Sequence, residues 1–187
     1  FNLMRYGDWK LADLMTFHII GQPGVFMRRE VLEQAGYLDL SYNYLLDVQL
    51  WLRMAAIAEP QYIQGKVWAA ARMHSEAKNM AQAEKFGEEA FTVAKWLCED
   101  PRFYPLSAQI FKKIWAGAHR LNAFYLVEAG KHREALKSYV HMLRYQPIPS
   151  GNTLRRMLYS ALSALGIMRS REWYDRKRKE RYLKTKK

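Results

Sequence analysis

The sequence predicts a fold of α+β class that is predominantly α. It places a short α/β part in residues 1–75, an all-α part in 76–168 and a basic C-terminal helix or tail in 169–187. Three observations carry this. Short β-prone and short amphipathic runs alternate before Ser75, broken by Gly and Pro. Beyond Ser75 strand signals stop, and apolar residues recur at helical spacing between breaks near Pro101, Gly130, Pro147 to Gly151 and Gly166. Half of the 187 residues are apolar, enough to bury a core and to argue against disorder of the whole.

Taken in order, Leu11, Leu14, Met15 and Ile19 lie at helix-like spacing between Trp9 and Ile20, and Gly21 to Gly24 interrupt that run. Val25 to Met27 are β-prone enough for a short strand. Arg28 to Ala35 then read as a helix stopped by Gly36. After a loop from Tyr37 to Tyr44, the residues Leu46, Leu50, Arg53, Met54 and Ile57 share one helical face until Pro60. Tyr62, Ile63, Val67 and Trp68 around Gly65 predict one strand or a hairpin within 61–73. Helices are expected over about 76–98, 105–129, 132–145, 151–165 and 169–184.

Charge and cysteine content narrow the function classes. The net charge is +12, but residues 1–100 hold 10 Lys+Arg against 13 Asp+Glu, a net −3, while residues 101–187 hold 20 against 5, a net +15. The basic half suits an anionic partner; a solvated polar face is the bland alternative. Cys98 is the single cysteine and cannot form an internal disulfide, and no apolar run approaches the roughly 18 residues of a membrane span. These features lead us to expect a cytoplasmic protein, peripheral at most to the inner face of a membrane. The chain opens on Phe1 without a signal-type leader and reads as a piece of a longer protein.

Within the helical part, Gly130, Ala135, Tyr139 and Pro147 stand at the spacing of Gly, Ala, aromatic and Pro in a helix pair that resembles a tetratricopeptide repeat. Met142 occupies a place usually taken by Ala, His119 and Asn122 stand at the early Trp and Leu positions, and no second copy follows.

A second resemblance covers about a third of the chain. Phe26 to Arg29, Gly36 to Asp39, Asp47 to Arg53, then Arg72, His74 and Lys78, occur in the order of the "Phe-x-Arg-Arg", "Gly-x-x-Asp", "Asp-x-x-Leu-Trp-Leu-Arg" and "Arg-x-His" segments of family-two glycosyltransferases of GT-A fold. Each fragment alone is weak; the ordered set is more specific. The resemblance implies the acceptor-side, C-terminal half of an inverting glycosyltransferase, which moves a sugar from a nucleotide-sugar donor to a glycan or lipid-linked acceptor. It implies Asp47 as the general base that takes the acceptor proton. It implies His74 as a ligand of a divalent metal, Mg or Mn, with Arg72 and Lys78 facing the leaving diphosphate. No Asp-x-Asp motif occurs in the chain, so it is expected to be inactive without a nucleotide-binding half.

The residues themselves leave alternatives open. Asp47 sits in a predicted first helical turn, where an acid also serves as a plain cap, and the dipole there lowers its pKa unless burial offsets it. Gln22, beside Pro23 and Gly24, either brings backbone close to the acceptor or forms a simple turn. Tyr44 and Trp51 are read as sugar-stacking or core aromatics, and His74 as a ligand or a surface residue. Arg169 to Lys187 carry 10 Lys+Arg against 3 Asp+Glu with Trp173, Tyr174 and Tyr182 among them. That mixture suits an anionic membrane surface, with nucleic acid the less favoured partner. The rival to the enzyme is a non-enzymatic helical adaptor for a protein or anionic partner.

Overall fold

The computed structural model describes residues 7–63, 69 and 82–167. These residues form eight α-helices: α1 Leu11–Met15, α2 Arg29–Ala35, α3 Leu46–Ala55, α4 Ala83–Glu99, α5 Leu106–Gln109, α6 Phe111–Glu128, α7 His132–Tyr145 and α8 Gly151–Ala164. Short 3-10 turns cover Gln22–Gly24 and Pro101–Phe103. Among the described residues there is no strand.

This overturns the expected α+β class and the expected partial GT-A α/β half. Val25 to Met27 and Gln61 to Ile63 are irregular backbone and not strand. A strand exists only by exchanging N–H and C=O bonds with a neighbour, so β-prone side chains without that neighbour leave loop. The rest of the expected hairpin and the expected helix over 169–184 fall outside the described residues, except Ala69. What the chain does form is a stack of helices, and the resemblance to a GT-A half is corrected to that.

The helix ends follow from local chemistry. Asp13 reaches back to the Lys10 N–H at 3.0 Å and opens α1. Gly36, at φ 76°, stops α2 by taking a left-handed conformation that a side chain would strain. The buried guanidinium of Arg53 then caps α2 from α3: it donates to the carbonyls of Ala35, Gly36 (3.0 Å) and Tyr37 (2.7 Å), and to Gln49 Oε1 (2.9 Å). Arg53 is thus a structural clasp between α2 and α3. Ser150 caps α8 by accepting from the Thr153 N–H.

Two apolar clusters lie on opposite sides of α6. The larger joins Leu14, Met15, Phe17, Leu45, Val48 and Leu52 to Val93, Leu97, Phe103, Ile114 and Leu121. Residues from before and after residue 75 therefore share one core. The second packs Ala123, Leu126 and Val127 of α6 against Ala135, Tyr139 and Met142 of α7 and Tyr159 of α8. Close approach needs small residues: a Cβ on Gly87 would stand 2.9 Å from the Asn122 Cα, and one on Gly117 would stand 2.3 Å from the Thr16 carbonyl oxygen. Arg120 fixes the second crossing by donating to the carbonyls of Thr16 (3.0 Å) and Phe17 (3.2 Å).

Candidate functional site

The helices α2 and α3 and the segments around them enclose a cleft of about 540 Å³, whose lining includes Gln22, Val25, Met27, Tyr37, Asp47 and Trp51. Arg53 holds the α2 to α3 angle that shapes it, and Leu50 and Trp51 of α3 pack on Ala35 and Leu32 of α2 to form its floor. Asp47 is the one charged group among its described lining residues.

Asp47 occupies the first turn of α3 and is half-buried. A carboxylate there should be held low by the helix dipole. Burial wins instead and raises its pKa; the Val48 N–H bond (2.8 Å) opposes this, and the neighbouring Glu89 charge adds to the rise. The Asp47 charge also reaches Tyr125 on α6, whose hydroxyl is pushed up to about 12, mainly by burial and secondarily by Asp47. A carboxylate that resists ionisation in a cleft is the electrostatic profile of a proton acceptor.

Glu89, on α4, builds the other side of this helix start. Its Oε1 accepts from the Asn43 N–H (2.8 Å), and its Oε2 accepts from the Tyr44 (2.7 Å) and Leu45 (2.5 Å) N–H groups. The N-cap of α3 is Leu45, which has no side-chain acceptor, and Glu89 on a distant helix takes its N–H together with those of the two loop residues before it.

The expected site residues divide into three groups. Gln22, Asp47 and Trp51 meet at the cleft. Trp51 is only 7% exposed, so it is floor as well as wall, and its indole N–H has no hydrogen-bond partner among the described residues. Tyr44 is not among the cleft residues: its hydroxyl donates to Gln82 Oε1 (2.7 Å) and its ring meets Phe86 edge-on, centroids 5.1 Å apart. Arg72, His74 and Lys78 lie outside the described residues. Among the described residues no group of three or more His, Cys, Asp or Glu is placed to hold a metal ion, and Asp47 alone is not a donor set for one.

Sequence reasoning missed Glu89, Tyr37 and Tyr125. One signal was present for Glu89: three consecutive N–H groups precede a helix whose N-cap is leucine, which calls for an acceptor from elsewhere. Nothing in the sequence says which one.

No protein-family model, no curated protein and no solved structure matches this chain. No helix among the described residues is long and apolar enough to cross a membrane.

Proposed function

We propose that this chain carries the acceptor site of a glycosyltransferase, in which Asp47 takes the proton from an acceptor hydroxyl as that oxygen attacks the sugar carbon of a nucleotide-sugar donor. The single observation that supports the reading best is the half-buried Asp47 carboxylate, its pKa raised by burial, on the wall of an open cleft that also holds Gln22 and Trp51. A general base needs reach to a hydroxyl and a pKa brought up towards the working pH, and the cleft offers both. Trp51 supplies part of an apolar wall, and Gln22 supplies an amide at the cleft. The donor is held by residues outside this cleft, and the place of action is the cytoplasm, in keeping with the single cysteine.

The test is sugar transfer from a panel of nucleotide sugars to glycan acceptors, measured on the protein that unites this chain with its donor-binding segment. Asp47→Asn should lower turnover by about 10²–10⁴-fold while leaving the helical circular-dichroism signal unchanged. Wild-type turnover in that variant removes Asp47 from the mechanism.

A further inference from the structure

The helix α8 packs one face and leaves an apolar one exposed. Thr153, Tyr159 and Ser160 are buried towards the α6–α7 pair. On the opposite side Leu154, Leu158 and Leu165 recur at helical spacing and are 56%, 60% and 73% exposed. Ile148 before the helix and Ile167 after it are 83% and 68% exposed. Isolated exposed aliphatics are ordinary, but five within twenty residues, three of them in register, form an apolar face left to water.

The charge around this face selects among its occupants. From Ala135 to Ile167 the sequence contains no Asp or Glu, and it contains the exposed cations Lys137, Arg144 and Arg155, whereas Arg156 turns inward to Glu128 and the Phe124 ring. The twenty residues that follow add 10 Lys+Arg against 3 Asp+Glu. A second copy would set one basic half against another, and like charges across an interface oppose association. An apolar stripe in a stretch of chain that carries cations and no carboxylate matches the boundary between acyl chains and anionic headgroups. As no described helix is long and apolar enough to cross a bilayer, this one would lie along its surface.

We propose that the outer face of α8 docks on an anionic lipid bilayer, with Leu154, Leu158 and Leu165 entering the acyl boundary and the surrounding Lys and Arg side chains meeting the headgroups. The proposal stands independently of the Asp47 chemistry.

Co-sedimentation of the whole chain with vesicles tests it, comparing pure phosphatidylcholine with phosphatidylcholine containing about one-third phosphatidylglycerol. The wild type should bind the anionic vesicles and not the neutral ones, and its binding should weaken with added salt. Leu154→Glu combined with Leu158→Glu should reduce binding at least about tenfold, since two leucines would no longer enter the apolar layer. Both side chains are exposed, so the fold should tolerate the change, and Leu154→Gln combined with Leu158→Gln repeats the test without added charge. Binding of both double variants at the wild-type level overturns the proposal, as does equal binding to neutral vesicles. A wild type that sediments as a dimer, becomes monomeric in the variants and ignores vesicles assigns the face to a second copy and also overturns it.

Discussion

Replacing Glu89 probes the device that starts α3. In the wild type one carboxylate accepts three consecutive backbone N–H groups at 2.8, 2.7 and 2.5 Å. A hydrogen bond to a charged acceptor contributes about 1.5–3 kcal/mol net. Three donors on adjacent residues are not independent, and the site is part-exposed, so the sum is well below three full bonds. Glu89→Ala should therefore cost about 3 kcal/mol, and Glu89→Gln, which keeps one carbonyl oxygen and loses the charge, about half of that. At about 2–4 °C per kcal/mol for a chain of this size, the alanine variant should melt about 6–12 °C lower.

The assay is urea unfolding followed by far-ultraviolet circular dichroism, with Glu88→Ala as the exposed neighbour control. Amide hydrogen exchange supplies a local readout: the Asn43, Tyr44 and Leu45 N–H groups should lose protection in Glu89→Ala while those of α7 keep theirs. If Glu89→Ala stays within about 0.5 kcal/mol of the wild type, the range of an ordinary surface substitution, the clasp is not what holds α3 in place.

Other substitutions test the packing and the site. Gly117→Ala gains about 1 kcal/mol of helix propensity, but its Cβ would meet the Thr16 carbonyl oxygen at 2.3 Å, backbone that cannot swing aside. Overpacking costs about 1–3 kcal/mol, so thermal melting should show a net loss, and an unchanged or raised Tm would contradict the close crossing of α6 and Thr16. Asp47 has a folded-state pKa above its usual 3.8, so its stabilising contribution is present below that pH and is lost as pH rises through the raised value. Asp47→Asn never ionises and should be at least as stable as the wild type near pH 7; a loss above about 1 kcal/mol there would mark Asp47 as a helix cap instead. His119 is pulled down to about 4 from 6.5, first by burial and then by the stacked His141 ring 5.2 Å away, so the wild type should lose stability as pH falls from 6.5 towards 4. A pH series of melting curves checks it, and His119→Gln should flatten that slope; parallel curves would refute the assignment.

Much of the helical architecture is legible in the sequence because its signals are local. Gly36 and Gly130 both adopt left-handed φ, 76° and 77°, where the sequence ends helices. The α7 bounds follow from Gly130 and Pro147, and Ala135, Tyr139 and Met142 are buried at the spacing that marked them. The α3 helix from Leu46 follows from one apolar face. What failed was non-local. Val25 to Met27 have the right residues for a strand, but no residue in the run can state what would pair with it, and among the described residues the run is not strand. Glu89 failed for the same reason: more than forty residues separate it from the N–H groups it serves. Of the candidate site, Asp47, Gln22 and Trp51 converge as a set, whereas Tyr44 turns to Gln82 and Phe86, because helix phase is readable and the direction taken by a loop is not.

The sign of the Asp47 shift ties these non-local features to the chemistry. A carboxylate in a first helical turn ordinarily shares the free N–H groups of the helix start, and their positive end holds it ionised. Here Glu89 occupies the N–H groups of Asn43, Tyr44 and Leu45, while the Asp47 carboxylate is bonded to the Val48 N–H (2.8 Å) and to its own N–H. The clasp acts on Asp47 through charge: it places a second carboxylate close enough to oppose ionisation, the smallest of the causes that set its pKa. Burial, the largest cause, outweighs the two backbone bonds that oppose it. Burial, helped by the nearby Glu89 charge, leaves the acid in the first turn of α3 more basic than the helix dipole alone would, and a more basic carboxylate is what accepting a proton from a hydroxyl requires.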